Sequence, residues 1–390
     1  MKRISTITSI ILFAMMAGCG GGKQSTDDLI IVDVTTSYPE KELILQDFMD
    51  VEYIVLETSD EFLTQGLVKA IGSEYILVTN RIRNGDIIIY DRKTGKGVRK
   101  INRQGQGPEE YNRISGVANI ILDEANGEMF VKSTADKILV YDLYGKFKRS
   151  FMSSHYDVFE YDKDNLIGYD ISDFYQRGED RDREKAYHVL ISKLDGSITR
   201  KIFIPFKTIH TPIVVRMGIG NASTPEFCQI IPNQGKWILA DSSSDTLYTY
   251  APDNTLKPFL VRTPSIHAME PEVYLSIMAL TNSYYFIKTV KNDFDFETGR
   301  GFNLNTLMYD KKENAVLEYV VYNDDYTEKR PLFKFMWNPY NHEITSSVIL
   351  EAHQLVDDYK KGILKGKLKE IAATLDEEDN PVIMLVKHKQ

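Results

Sequence analysis

Only two cysteines occur in 390 residues, Cys19 and Cys228. They allow one disulfide at most, and none if Cys19 is consumed by another modification, so stability has to come from packing. Basic residues are outnumbered, 47 against 56 acidic, for a net charge of −9. A surface of that sign repels a phosphate backbone, which excludes nucleic acid as a partner. One apolar run stands out, Ile7 to Met16, and it falls well short of the roughly 20 residues a membrane-spanning helix needs. No later run comes closer, so the mature chain has no transmembrane helix.

Familiar catalytic signatures are missing as well. No G-x-S-x-G occurs, which argues against serine-hydrolase chemistry. The seven histidines, at 155, 188, 210, 267, 342, 353 and 388, include no pair spaced three to five apart, so there is no local zinc motif. Metal ligands would have to converge from separate parts of the chain. In the acidic run from Asp293 the glycine is displaced and Leu304 stands where a calcium loop needs its last acid, so a solvated hairpin is the better reading. Cys228, inside the apolar Phe227-Cys228-Gln229-Ile230-Ile231, reads as a buried core thiol. Nothing calls for a cofactor.

What is present begins at the N-terminus. Lys2 and Arg3 precede the short apolar run, which makes residues 1–18 a secretory signal. Met16-Ala17-Gly18-Cys19 follows and resembles a bacterial lipobox, with the Cys19 thiol as the atom that receives the lipid. Two or more acyl chains at one site make a stable membrane anchor. Residues 19–28, opening Cys-Gly-Gly-Gly, then form a lipidated flexible tether. Loss of Lys2 and Arg3 takes the basic count from 47 to 45, so the mature net charge is about −11. Gly20 rather than Asp follows Cys19, which favours the outer membrane.

The rest repeats. Five segments share a plan of β-rich run, turn and second β-rich run, starting at Asp86, Lys137, Tyr187, Thr246 and Thr306, and each reads as a hairpin. Asp, Asn and Gly in the turns supply the left-handed or side-chain-bonded backbone such connections require. With Tyr90, Tyr141, Ser192, Tyr250 and Tyr309 as equivalent points, the spacings are 51, 51, 58 and 59 residues. Upstream of each hairpin lies another pair of short apolar runs, giving about four strands per repeat, the unit of a β-propeller blade. The 23 tyrosines suit the wedge-shaped gaps between blades.

Residues 29–390 are therefore expected to form one all-β, six-bladed β-propeller. Beyond Pro331, FKFMWNP and HEITSSVIL are candidate strands, residues 350–375 have helical spacing, and the chain closes with an apolar run after Asn380-Pro381. A C-terminal helical insertion thus precedes the closing strand. Three C-terminal strands and one from the N-terminus, either LIIVDVTT or VEYIVLETS, would complete the sixth blade and remove open sheet edges.

Several strings, namely VEYIVLETSDE, GQGPEEY at 105–111, SSSDTLYTY at 242–250, YNDDY near Tyr322 and EEDNPVIMLVKHK, resemble the six-bladed β-propeller lipoproteins of gut anaerobic bacteria, many without assigned function. The resemblance implies the fold, export and an envelope lipoprotein of the outer membrane, and it brings no catalytic residues. The stretch from Lys207 to Glu226 departs from a simple blade joint.

The GQGP loop is read as a tight link between blades, with Gly105 and Gly107 at special backbone angles, because Pro108 follows where a phosphate loop would open a helix. Arg103, Gln106 and Glu109 project from it as a candidate ligand-binding rim. The reading that results is a membrane-anchored binding or scaffold module for a protein, peptide or glycan. The alternative is an enzyme, a metal-dependent hydrolase or lactonase or a carbohydrate-active enzyme, with a site on the propeller axis.

Overall fold

The computed structural model describes residues 29–81, 84–112, 120–134, 137–170, 186–206, 208–210, 214–215, 222–223, 227–332 and 339–389. The signal, Cys19 and the tether lie outside these residues, as do most of the FKFMWNP run and much of 207–226.

The described chain opens with β1 (Ile30–Asp33), β2 (Glu40–Ile44), a helical turn α1 (Leu45–Phe48) and β3 (Met49–Val55). Blade 1 follows as β4 (Leu67–Ile71), β5 (Tyr75–Thr79), β6 (Asp86–Asp91) and β7 (Gly97–Asn102). Blade 2 is β8 (Ile120–Asp123), β9 (Glu128–Thr134), β10 (Lys137–Asp142) and β11 (Phe147–Met152). Blade 3 is β12 (His155–Glu160), β13 (Asn165–Asp170), β14 (His188–Ser192) and β15 (Ile198–Ile202). A two-stranded hairpin, β16 (Val214–Val215) and β17 (Ala222–Ser223), occupies the link to blade 4. Among the described residues of that region no strand joins a blade.

Blade 4 is β18 (Ile230–Asn233), β19 (Lys236–Leu239), β20 (Thr246–Tyr250) and β21 (Leu256–Thr263). Blade 5 is β22 (Val273–Leu280), β23 (Tyr284–Lys291), a small hairpin of β24 (Phe294–Asp295) and β25 (Arg300–Gly301), then β26 (Leu304–Asp310) and β27 (Ala315–Tyr322). The acidic run from Asp293 is thus the hairpin expected. Blade 6 has β28 (Ile344–Leu350), the helices α2 (Ala352–Lys360) and α3 (Gly366–Ala372), and β29 (Val382–His388), which lies between β28 and β3. VEYIVLETS is therefore the N-terminal strand that closes the ring, with Val382 opposite both Leu350 and Val55.

LIIVDVTT has a different place. β1 adds to the outer edge of blade 4, parallel to β21, and β2 adds to blade 5, parallel to β27. The N-terminal segment skirts three consecutive blades in turn.

The turn chemistry is what makes these hairpins. In the third-to-fourth-strand turn of blades 1 to 5 one residue has positive φ: Gly95 (+69°), Gly145 (+81°), Gly196 (+77°), Asn254 (+67°) and Asn314 (+51°). Only glycine, and asparagine at small cost, adopts that backbone readily. Apolar side chains from facing sheets then meet in one cluster per seam, all six seams included, and a seventh cluster seats α2 and α3 against β3 and β29. Three of the four repeated tyrosines, Tyr90, Tyr141 and Tyr250, are core, as expected, whereas Tyr309 is half-buried at the margin of the blade 4–5 cluster. Tyr90 and Tyr141 are fully buried and each donates to the link arriving from the preceding blade, at Phe62 O (2.5 Å) and Glu109 O (2.7 Å). Cys228 differs from expectation: it is half-buried at the margin of the blade 4–5 cluster, because its run enters β18 from the surface.

Candidate functional site

Alternating strand direction sorts the connections near the axis onto two faces. First-to-second-strand turns lie on one, the turn face; blade-to-blade links and second-to-third-strand connections lie on the other, the link face. The first strands of neighbouring blades stand side by side around the axis.

On the turn face the axis is bridged. The segment from Tyr340 to Glu343, which precedes β28, reaches past blade 5: the His342 carbonyl accepts from the Gln234 backbone N–H of blade 4 at 3.2 Å, and its ring packs edge-on against Trp237 at 4.6 Å. Asn341 Nδ2 of the same segment donates to Ile71 O of blade 1 at 2.8 Å. Three blades are tied across that mouth.

The link face carries buried polar groups, concentrated over blades 3 to 5. Asp157, in β12 at φ +46°, accepts the Gln229 backbone N–H at 2.9 Å, and burial pushes its carboxyl up to about 6. His188 Nε2 donates to Gln229 O at 3.2 Å, and burial keeps this imidazole below its ordinary pKa. Tyr169 donates to Asp241 Oδ2 at 3.1 Å.

The group with the most chemistry lies where the links into blades 4 and 5 meet. His210 Nε2 and His267 Nδ1 are 2.8 Å apart, and His210 Nδ1 lies 3.2 Å from Glu272 Oε1. Glu272 in turn accepts from Asn292 Nδ2 at 3.2 Å, and its carboxyl is held below the usual range, chiefly by His210. The backbone of His210 is pinned on both sides: its N–H donates to Ser243 Oγ (2.9 Å) and its carbonyl accepts from Ser242 Oγ (2.5 Å). His267 sits in a 3₁₀ turn, Ile266–Ala268, that Ser265 caps while donating to Asp245 Oδ2 at 2.6 Å. The result is a chain from carboxylate to imidazole to imidazole, able to hold or pass a proton. Among the described residues no group of three or more His, Cys, Asp or Glu is arranged to enclose a metal ion.

The residues singled out in the sequence lie elsewhere on the link face, between blades 1 and 2. Gln106 and Glu109 are exposed, while Arg103 Nε donates to Gly145 O at 2.8 Å and braces the next blade. Tyr111 closes the loop, donating to Gly85 O at 2.7 Å. Neither Gly105 nor Gly107 has positive φ, contrary to expectation. Close approach is the reason for glycine instead: a Cβ on Gly105 would lie 1.9 Å from Glu110 Oε2, and the Gly107 N–H donates to the same oxygen at 2.8 Å. The structure does not bring Arg103, Gln106 or Glu109 to the His210–His267–Glu272 chain. Those two histidines are 57 residues apart, so spacing could not have found them. Their shared position, in successive links between repeats, was the available signal.

Six twisted sheets arranged around an axis and closed by an N-terminal strand define a six-bladed β-propeller. Residues 21–344 match the model of the DUF5128 family, described as a 6-bladed beta-propeller, and the chain belongs to that family. A Bacteroides fragilis protein classed as exported is similar in structure, with a TM-score of 0.54 at 15% identity over 93% of this chain and 99% of that one. A member of the DUF4221 family from Bacteroides vulgatus aligns with a TM-score of 0.45 at 11% identity, covering 88% and 98%. A virginiamycin B lyase from Staphylococcus aureus aligns at 0.36 and 11%, covering 87% and 100%. No curated protein matches this chain.

Proposed function

We propose that this protein is an exported binding module, held at the outer membrane by lipid on Cys19, that seats a protein, peptide or glycan on its link face. One observation carries the reading. Half-buried and buried polar side chains of blades 3 to 5 gather on the link face, whereas the axis is bridged on the turn face by Tyr340–Glu343. A small number of polar groups with fixed partners is what sets the orientation of a bound ligand. Gln106 and Glu109, with Arg103 behind them, form the outer rim of that seat. Export and the envelope location are supported by the leader, the lipobox and the exported structural relative.

Two measurements test this. The Cys19→Ser protein should leave the membrane fraction after a high-salt wash; retention sinks the anchor. For the seat, photo-crosslinkers placed in intact cells at Ser244 on the link face and at Lys146 in an outer turn should give adducts from the first position alone. Adducts from Lys146 alone would put the seat elsewhere. The His210–His267–Glu272 chain favours a second reading, an acid–base enzyme on the same face.

A further inference from the structure

We propose that the outer rim of blades 3 and 4 docks on the anionic lipid surface of the membrane that carries the anchor, so that the propeller stands on its rim. The inference rests on the lipid at Cys19 proposed above and adds an orientation to it. Its starting point is where the chain enters the fold. Residues 19–28 reach at most about 33–36 Å when fully extended, and about 16–19 Å on average as a glycine-rich coil. They lead into β1, the outermost strand of blade 4. A lipid on Cys19 therefore keeps that edge, and the adjacent edge of blade 3, close to the bilayer.

Those two edges carry what a lipid surface attracts. On β1, Ile30 and Val32 turn into the seam with blade 5, and alternation turns Ile31 the other way, where it is 64% exposed; Leu29 before it is exposed too. On blade 3, Ile198 in β15 and Phe203 just after it flank Arg200-Lys201, and Phe203 is 55% exposed. Single exposed apolar residues need no explanation, but here they stand beside cations on neighbouring edges. The state of those cations sets blade 3 apart. β7 and β11 also carry an Arg-Lys or Lys-Arg pair, yet Lys100 pairs with Asp86, Arg99 lies over the Tyr144 ring, and Lys148 and Arg149 both meet Glu128. Arg200 and Lys201 are exposed and make no ion pair among the described residues. The acids of the nearby outer turns, Asp195 and Asp253, accept from Ser197 and Thr255 of their own turns.

Charge then decides the orientation. The mature chain carries about −11, so an anionic bilayer repels the body of the molecule and attracts an edge whose cations are unpaired. Two cations and a few apolar side chains are too little to hold a soluble protein at a membrane. A lipid tether makes the contact intramolecular, and a weak patch is then enough to select one orientation. With this rim on the lipid, the propeller axis runs along the membrane and the link face opens sideways, toward a partner that is itself at the membrane surface.

The test uses the full lipidated protein in vesicles of phosphatidylcholine and phosphatidylglycerol, with tryptophan as a depth reporter that brominated lipid chains quench. Phe203→Trp and Ile31→Trp place the reporter on the rim; Tyr359→Trp places it on α2 of blade 6, opposite blade 3 in the ring. Quenching above that of the parent, whose own tryptophans give the background, is expected at the two rim positions and not at Tyr359. Adding Arg200→Glu and Lys201→Glu should abolish it while the protein still sediments with the vesicles. Thermal melts identify any variant that fails to fold, and either rim reporter suffices for the decision. Equal quenching at all three positions, quenching at none, or quenching that survives the charge reversal overturns the docking alone. A parent that does not sediment with the vesicles overturns the anchor at Cys19, and the docking falls with it.

Discussion

Burial and charge conflict most openly at Lys193, which sits in the seam between blades 2 and 3. It is buried, yet Asp123 Oδ2 lies at 2.6 Å and Glu160 Oε1 at 2.9 Å, so the ammonium exchanges water for two carboxylates from facing sheets. Such a pair contributes little net stability but is costly to break from one side. Histidines solve the same conflict by staying neutral. Burial pushes His388 down to about 4, and it holds His188 and His342 below their ordinary range too. A folded-state pKa below the unfolded value of about 6.5 means that the unfolded chain binds more protons as the pH falls below that value, so stability is lost on the way down toward 4. Asp157, raised to about 6, works the other way, since the folded chain keeps its proton between roughly 3.8 and 6. Burial raises the Glu160 carboxyl as well, but three imidazoles outweigh two carboxyls, and the melting temperature should fall between pH 7.5 and pH 5. Neither ring nitrogen of His388 has a hydrogen-bond partner among the described residues. His388→Leu should therefore melt near the parent at pH 7.5 and lose less on acidification. An unchanged pH slope in that variant would show that His388 does not titrate with folding.

At the scale of elements, what held five hairpins together in the sequence was turn chemistry, and the left-handed residue in each turn can be separated from its packing. Gly95 is at φ +69°, and a Cβ there would lie 1.8 Å from Val55 O at the end of β3; Gly127 is at φ +62° with nothing within 4 Å. Gly127→Ala should cost about 1–2 kcal/mol of strain alone. Gly95→Ala should cost clearly more, because the blade 1 turn must also move away from blade 6, and denaturant midpoints of the two variants measure the difference. Equal midpoints would mean that the two blades do not touch there. These turns, the four-strand period and the helices at 352–360 and 366–372 were legible because each depends on neighbours in the chain. The partner of β1 was not, since nothing local tells an outer edge of blade 4 from one of blade 6. A reason emerges from the edges themselves. β21 and β27, which β1 and β2 cover, present Leu260-Val261 and Tyr319-Val320-Val321, while β7, β11 and β15, on which no strand lies among the described residues, carry Arg99-Lys100, Lys148-Arg149 and Arg200-Lys201. Apolar edges need a strand; charged ones are protected already. The His210–His267 contact was hidden for the same reason as β1: it is made between links whose lengths vary.

The ring as a whole depends on β29. It lies between β28 and β3 in blade 6 and pairs along its length with both, so it joins the C-terminal part of the chain to the N-terminal part. Val382 to Val386 are fully buried, facing the helices, the blade 1 seam and the blade 5 seam by turns. Just before them Asn380 fastens the link into blade 1, accepting from the Thr64 N–H at 2.9 Å and donating to Glu57 O at 2.7 Å and Phe62 O at 2.8 Å. Deleting residues 381–390 would strip five buried side chains worth about 1.5–3 kcal/mol each, against a total stability of roughly 5–15 kcal/mol, and would leave two open edges. The truncated protein should be unfolded or aggregated. Deleting residues 29–44 makes the informative contrast, because β1 and β2 lie outside complete four-stranded blades; that protein should keep a cooperative transition at a lower temperature. Melts of the soluble Cys19→Ser parent and the two truncations decide the matter. If the 381–390 deletion still melts cooperatively within a few degrees of the parent, closure through β29 is not what holds the ring.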